Sequence, residues 1–449
     1  MKIARFKIVF SFLAVCILYS AWMTGFTFKF SECRSFPNYN MLAMAFTNGH
    51  FYIEQTPPVD AIIKDDLVYV FSGPTPALLR IPVLLLTGKG IPTGLMIVLF
   101  CAGISTFFAM ILMQLIEAFK IKGMRVISTI TLNTFIFCGI SLHMVTIPSI
   151  HHESICAAMF FMMVSIYILL KIRIHGRSNI GDAIFLGIAL GLAVGSRFSY
   201  VYAAIAIGGF LIINLLKISD SVERINSVQI VSIVSGIGIV SIGLLLWYNY
   251  VRFGAFFDFG TAYIATPCRE YFTTMGYFRY DHLPYNFWSF FFRLPQFVSV
   301  FPFVLLPRYL IQATSIGLGP YLLLNANELT VSVFFLMPIL SLFFTPLFFK
   351  IDNDKYSFYL VFSVFIAQIF SLGFTIASIA RYYYDFVPLM MIMAFMGIVL
   401  LKKRAKISNG MVGFLGAISL IISFSLPMNA ILFYSKFINY QSPLLRIFF

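Results

Sequence analysis

Long apolar runs alternate with short polar stretches along most of this chain. Runs of about 20 apolar residues match the thickness of a bilayer's hydrocarbon core, and they far exceed the ~10 residues of a barrel strand. Eleven stretches satisfy length and charge together: 6–27, 92–117, 124–146, 154–171, 180–196, 198–216, 228–250, 329–349, 356–379, 384–401 and 410–433. The pattern predicts an all-α polytopic membrane protein with about 11 transmembrane helices, forming a single membrane domain over residues 1–449. The first run, Ile8 to Phe26, follows a basic start as a signal peptide does. It is long for one and no A-x-A site follows, so it reads as an uncleaved first helix.

Two segments break the rhythm. Residues 28–80 form a long polar stretch after the first helix. Pro37 can start a helix there and Gly49 can end one, so YNMLAMAFTN reads as an amphipathic surface helix. FYIE and LVYVF read as short extended pieces, separated by Pro57-Pro58. The turn from Ser72 to Pro76 leads into ALLRIPVLLL, which Pro82 makes too short to cross. The second segment, 251–328, opens as a polar loop and continues as an aromatic stretch cut by Pro295, Pro302, Pro307 and Pro320. Aromatic residues favour the headgroup region, so this stretch reads as helices lying on the outer surface.

Composition agrees with lipid as the solvent. The 449 residues are 60% hydrophobic and 11% charged, against roughly 25% charged in a soluble domain. The net charge of +14 sits in clusters between the runs: Lys2/Arg5/Lys7, Lys120/Lys122/Arg125, Lys171/Arg173/Arg177, Lys217/Arg224, Lys350/Lys355 and Lys402/Lys403/Arg404/Lys406. That is the positive-inside distribution, and it argues against nucleic acid as a partner. It puts the N-terminus in the cytoplasm, the C-terminus outside, and both long segments on the external side. Cys16, Cys101, Cys138 and Cys156 fall within helices and read as small buried apolar residues. Cys33 and Cys268 fall in external loops, where a disulfide could join them.

No P-loop, GxSxG or HExxH pattern occurs, nor any His/Cys spacing for zinc. The candidates are polar groups at the outer ends of helices. Arg197, in GLAVGSRFSYVY, and Arg381, in SIARYYYDFVPL, stand on the side the positive-inside bias disfavours. They suit either a clamp on an anionic phosphate or a local role, such as a membrane anchor or an Arg381–Asp385 pair. His151-His152-Glu153 opens a helix. His152 and Glu153 are candidates for proton exchange or sugar binding, beside the plainer reading of an exposed helix start. Asp258 lies among aromatic residues, as carbohydrate-site carboxylates often do. The opening segment holds Glu32, Glu54, Asp60, Asp65 and Asp66. Glu54 and Asp66 adjoin the extended pieces, which could hold them rigidly.

Six phrases in this order carry a resemblance: YNMLAMAFTNGHFYIEQTPP, YVFSGPTPALLRIPVLLLTG, IHHESICA, GLAVGSRFSYVYA, YNYVRFGAFFDFGTAY and ARYYYDFVPL. They resemble a bacterial family of polytopic membrane proteins placed near the GT-C integral-membrane glycosyltransferases, and they run from about residue 38 to 390. The resemblance implies transfer of a sugar from a polyprenyl-phosphate-linked donor to a cell-envelope glycan or lipid acceptor on the external face of a bacterial inner membrane. It implies a catalytic carboxylate in the first external loop, at Glu54, Asp65 or Asp66, and donor-phosphate contacts from Arg197 and Arg381. His152, Glu153 and Asp258 are left as candidates for the acceptor or sugar. No nucleotide or redox cofactor is implied, and a divalent metal is admitted without any ligand spacing to hold it. The chain departs from the family pattern in lacking a paired acid directly after the first helix, where Glu32 stands alone. Two rivals remain: a lipid or glycan flippase, favoured by Asn133 and His143 within a helix, and a non-catalytic GT-C-like envelope assembly protein.

Overall fold

In a computed structural model, the chain is described at residues 2–33, 36–54, 61–120, 123–175, 179–217, 221–265, 278–299, 303–305, 330–349, 355–375, 378–404, 406–437 and 443–444. It is a helical membrane protein. Among the described residues, seven helices are long and apolar enough to cross a bilayer, and shorter apolar helices accompany them.

Helix α1 (Lys2–Thr24) is followed by α2 (Asn38–Thr47), which starts behind Pro37 and ends before Gly49 at φ +78°. Strands β1 (Ala61–Lys64) and β2 (Leu67–Val70) pair antiparallel, with Lys64 opposite Leu67. Asp65 and Asp66 both take positive φ, +51° and +61°, and so form the two-residue turn whose twist suits a hairpin. This differs from the expected pieces. LVYV pairs with AIIK, whereas FYIE contributes only a bridge between Ile53 and Val68. The two-residue turn decides it, because it brings the nearer segment into register. Then come α3 (Thr75–Leu78) and α4 (Ile81–Thr87), both too short to span.

The bundle consists of α5 (Thr93–Phe119), α6 (Met124–Phe137), α7 (Gly139–Thr146), α8 (Ile150–His175), α9 (Ile180–Ser196), α10 (Val201–Leu216) and α11 (Ser221–Phe253). Helix α8 packs between α5 and α9, and α9 packs on α11. After α12 (Leu283–Phe291), with Phe287 and Trp288 exposed, strands β3 (Gln296–Phe297) and β4 (Val304–Leu305) form a second small hairpin. The remainder of the expected surface helices, 306–329, and Cys268 with its proposed partnership to Cys33, lie outside the described residues.

The expected span 329–349 is not one helix. It is α13 (Val333–Leu336), a 3₁₀ stretch over Pro338–Phe344, and α14 (Thr345–Phe348). Pro338 and Pro346 each restart the chain, since neither can donate an amide to a continuous helix. The freed backbone is covered by protein. It packs on α16 (Val387–Lys403), where a Cβ at Gly397 would stand 2.1 Å from the Leu342 carbonyl oxygen. Broken helices in a membrane are tolerated where such burial occurs. Helix α16 is itself buried from Val387 to Leu400, which is why its apolar residues show no stripe. Helix α15 (Lys355–Gly373) packs on α10 and α16.

Two further expected spans are interrupted, and the interruptions meet. The 124–146 run breaks at Cys138, and the 410–433 run breaks between α17 (Asn409–Ser423) and α18 (Ser425–Phe437). The Gly139 N–H donates to Ser423 Oγ at 2.8 Å, and a Cβ at Gly139 would overlap the Ser423 carbonyl.

Candidate functional site

One end of the bundle collects the start of α8, the end of α9, the end of α11 and the segment 71–75 that leads into α3. Helix α9 stops at Ser196. Arg197 then takes an extended conformation, φ −153°, before a 3₁₀ turn over Phe198–Tyr200. That kink turns its guanidinium out of the helix and into a polar cavity of ≈ 140 Å³. Ser72, Gly73, His151, Ser154, Asn249 and Arg252 also line it, with Phe259 and Tyr382 as aromatic walls.

Arg197 does not face the cavity as a free cation. Its Nη1 lies 3.1 Å from Asp385 Oδ2, and its Nε donates to Ser199 Oγ at 3.1 Å. Tyr200 Oη donates to the other Asp385 oxygen at 2.9 Å. Asp385 is wholly buried at the end of a 3₁₀ turn over Ala380–Asp385. The acid considered as a partner for Arg381 forms its ion pair with Arg197, and Arg381 acts on the same carboxylate. Both arginines meet over one ring: Arg197 stands 4.6 Å and Arg381 6.0 Å from the Tyr382 centroid.

Arg252 stands across the cavity at the end of α11. Its Nη1 donates to the Val70 carbonyl at 3.1 Å and its Nη2 to Asn249 Oδ1 at 2.7 Å. The first bond ties α11 to β2. Lys64 adds a second tie, donating to the Phe253 carbonyl at 2.5 Å, and Ile62 bridges Ile264.

Beside this cavity lies an apolar groove of ≈ 450 Å³. Helices α9 and α11 form its long walls through Ile188, Leu192, Ile237 and Leu244, and Phe51 and Trp247 close its end. Leu245 lines both spaces. The partition between them is backbone. A Cβ at Gly73 would stand 2.2 Å from the Gly195 carbonyl oxygen, and one at Gly195 would stand 2.5 Å from Thr75 Oγ1. Only glycine permits that approach.

Glu153 is the centre of a different construction. It forms a two-pronged pair with Arg80: Nη1 to Oε1, and Nη2 to Oε2 at 2.9 Å. Both side chains are buried, at 0% and 1% exposed. Arg80 also donates through Nε to Asn40 Oδ1 at 3.0 Å and through Nη1 to the Pro76 carbonyl at 3.0 Å. The pair pins α2 and the 71–80 segment to the first turn of α8. His152 is turned from the cavity toward His143, ring centroids 5.4 Å apart, and its neighbour His151 faces the cavity.

The loop carboxylates lie elsewhere. Asp65 and Asp66 are exposed at the β1–β2 turn, and Glu54 is exposed beside the Ile53–Val68 bridge. Asp258 caps its own loop, accepting from the Gly260 N–H at 2.7 Å. None of the four lines the cavity or the groove. Among the described residues no group of three His, Cys, Asp or Glu could hold a metal ion.

Sequence reasoning missed Arg80, Arg252 and the role of Asp385. A signal for the two arginines was present. Both stand at helix ends on the side that the charge pattern predicts to be external, the same ground that singled out Arg197 and Arg381.

No family model matches the chain, and no curated protein sequence matches it. Solved structures do. They include the S. cerevisiae protein O-mannosyltransferase Pmt1–Pmt2 complex bound to the sugar donor, with TM-score 0.37 and 14% identity over 62% of this chain. ArnT from Cupriavidus metallidurans bound to undecaprenyl phosphate gives TM-score 0.48 and 11% identity over 95% of this chain. The Archaeoglobus fulgidus oligosaccharyltransferase in its apo form gives TM-score 0.48 and 12% identity over 94%. These neighbours are GT-C glycosyltransferases. The match spans 36%, 76% and 55% of their respective lengths. With TM-scores under 0.5 and such low identity, the chemistry rests on the residues of this chain.

Proposed function

We propose that this protein is a GT-C-like glycosyltransferase. It would take a sugar from a polyprenyl-phosphate-linked donor and pass it to an envelope glycan or lipid acceptor at the external face of a bacterial inner membrane. One observation carries the reading: an arginine-lined polar cavity lies beside an apolar groove, and Leu245 lines both. That junction suits an amphiphile with an anionic head and a hydrocarbon chain, whereas a soluble nucleotide sugar would have no use for the groove.

In this reading the chain lies between α9 and α11, and the phosphate lies toward Arg197 and Arg381. An acceptor hydroxyl gives its proton to a carboxylate, and its oxygen attacks the anomeric carbon. The bond from that carbon to the phosphate oxygen breaks, and polyprenyl phosphate leaves with the electron pair. The arginines stabilise the charge gathering on the leaving phosphate. Glu54, Asp65 and Asp66 are proposed for the base, a role worth about 10²–10⁴ in rate. All three sit on or beside the hairpin that Lys64 and Arg252 tie to α11. Their exposure is compatible with a base that meets its acceptor in the complex. Asp258 and His152 remain proposed for the acceptor or sugar, His151 joins them because it lines the cavity, and Glu153 acts through the Arg80 pair.

The test uses the full chain in nanodiscs with a labelled polyprenyl-phosphoryl hexose and envelope lipid and glycan extracts. Protein-dependent transfer is expected, reduced about 10²–10³-fold by Arg197→Ala. Absence of transfer from any such donor, or full activity of both Arg197→Ala and Arg381→Ala at low donor concentration, would refute the reading.

A further inference from the structure

We propose that Cys101 and Cys156 form a disulfide that staples α5 to α8 beneath the candidate site. The inference is independent of the transferase reading.

It starts from what the two thiols meet. Cys101 lies on α5 and Cys156 on α8, both at 0% exposure, and their sulfurs are 3.4 Å apart. Among the described residues no other two cysteines are in contact. Cys138 is equally buried, yet its sulfur faces oxygens, the Phe135 carbonyl at 3.1 Å and Ser141 Oγ at 3.6 Å. Burial accounts for a small apolar thiol. It does not account for two thiols that face one another across a helix interface. A disulfide sets its sulfurs about 2.05 Å apart, and rotation of the two side chains is the motion that closes the remaining gap.

The pair also sits at the end of the bundle where such a bond persists. Asn40 accepts from the Ile91 N–H just before α5, and from Arg80, which holds Glu153 in the first turn of α8. The starts of α5 and α8 therefore lie together, at the end that the charge pattern predicts to be external. At about 1.5 Å per residue, Cys101 is about 12 Å along α5 from that end and Cys156 about 9 Å along α8. These matched depths place both thiols in the outer half of a hydrocarbon core about 30 Å thick. Disulfides form on the external side of a bacterial inner membrane and are rare in the cytosol.

The chemistry is exchange with an oxidoreductase that carries a protein disulfide. One cysteine thiolate attacks that disulfide and forms a mixed disulfide, and the second thiolate displaces the oxidoreductase sulfur. The pair loses two protons and two electrons, and the oxidoreductase leaves as a dithiol. The exchange precedes the closing of α5 on α8, since the folded bundle shields both sulfurs. The same burial then protects the bond from reduction. The staple joins positions 55 residues apart and so constrains the unfolded chain. It also fixes α8 one turn from Glu153, whose pair with Arg80 anchors the segment that carries Ser72 and Gly73 to the cavity wall.

The experiment reads the linkage in the full chain, made in a host whose external compartment oxidises thiols. Membranes are dissolved in denaturing detergent containing N-ethylmaleimide, so that every free thiol is capped before exchange. Proteolysis and mass spectrometry follow. The expected result is a joined Cys101–Cys156 peptide pair, two hydrogens lighter than the sum of its parts, while Cys138 carries the cap. Reduction before capping should leave all three capped. In Cys156→Ala, Cys101 should be capped without reductant. The wild-type peptide map decides the matter if that variant does not fold. Capping of both Cys101 and Cys156 in unreduced wild-type protein overturns the proposal, as does a link from either one to another cysteine. Neither outcome touches the transferase reading.

Discussion

Truncating Arg80 should be among the most damaging single changes outside the cavity. Arg80→Ala leaves the Glu153 carboxylate, 0% exposed, without either of the hydrogen bonds that satisfy its oxygens. It also strips the Pro76 carbonyl of its Arg80 donor, while Asn40 keeps the Ile91 N–H at 3.1 Å. Breaking a buried pair by removing one partner costs about 3–5 kcal/mol, because the remaining charge has no compensation. The double variant Arg80→Leu/Glu153→Leu removes both charges and fills similar volume, so it should recover most of that loss. The assay is reversible unfolding in mixed detergent followed by circular dichroism, run as a double-mutant cycle. Arg80→Ala within about 1 kcal/mol of wild type would refute the claim that the pair is sealed from water. A double variant as unstable as the sum of its singles would show that the loss comes from packing against Tyr39, whose ring lies 5.5 Å from the guanidinium, and not from the orphaned charge.

Gly73→Ala should destabilise by about 1–3 kcal/mol, since its Cβ would overlap the Gly195 carbonyl at 2.2 Å. Gly243→Ala, in α11 with nothing within 4 Å of its Cβ, should be neutral or stabilising by up to about 1 kcal/mol; thermal unfolding of the two side by side checks the contrast. Burial, helped by Arg279, holds His282 below its ordinary value of 6.5. The unfolded chain then binds more protons, so the His282 contribution is complete above about pH 6.5 and is lost as pH falls through its folded value. His282→Gln should flatten that part of the stability profile, and an unchanged profile between pH 7 and 5 would exclude the effect. Burial pushes the Cys33 thiol up to about 11. Maleimide labelling of reduced, folded protein at pH 7.5 should therefore be far slower at Cys33 than in detergent-unfolded protein, and equal rates would contradict the buried placement.

Much of this architecture is legible without coordinates, because lipid imposes it. A backbone that crosses hydrocarbon must satisfy its own hydrogen bonds, so apolar length alone announces α5, α8, α11 and α15. Local chemistry likewise announces α2, between Pro37 and Gly49, and the shortness of α3 and α4 around Pro82. What the pattern cannot carry is which groups meet across the bundle. Glu153 and Arg80 are 73 residues apart, and Asp385 and Tyr200 are 185 apart. Hydropathy is blind to both pairings, because any helix-end carboxylate scores the same whether it faces water or a guanidinium. The break in 329–349 is of the same kind. Its composition is that of a span, and only the close approach of Gly397 to the Leu342 carbonyl gives its interrupted backbone a buried place to lie. Tertiary structure also decided what each arginine meets. Arg197 and Arg252 look alike in the sequence, but the fold set the Asp385 carboxylate against the first and the Val70 carbonyl, Asn249 and the rings of Tyr248 and Phe253 against the second.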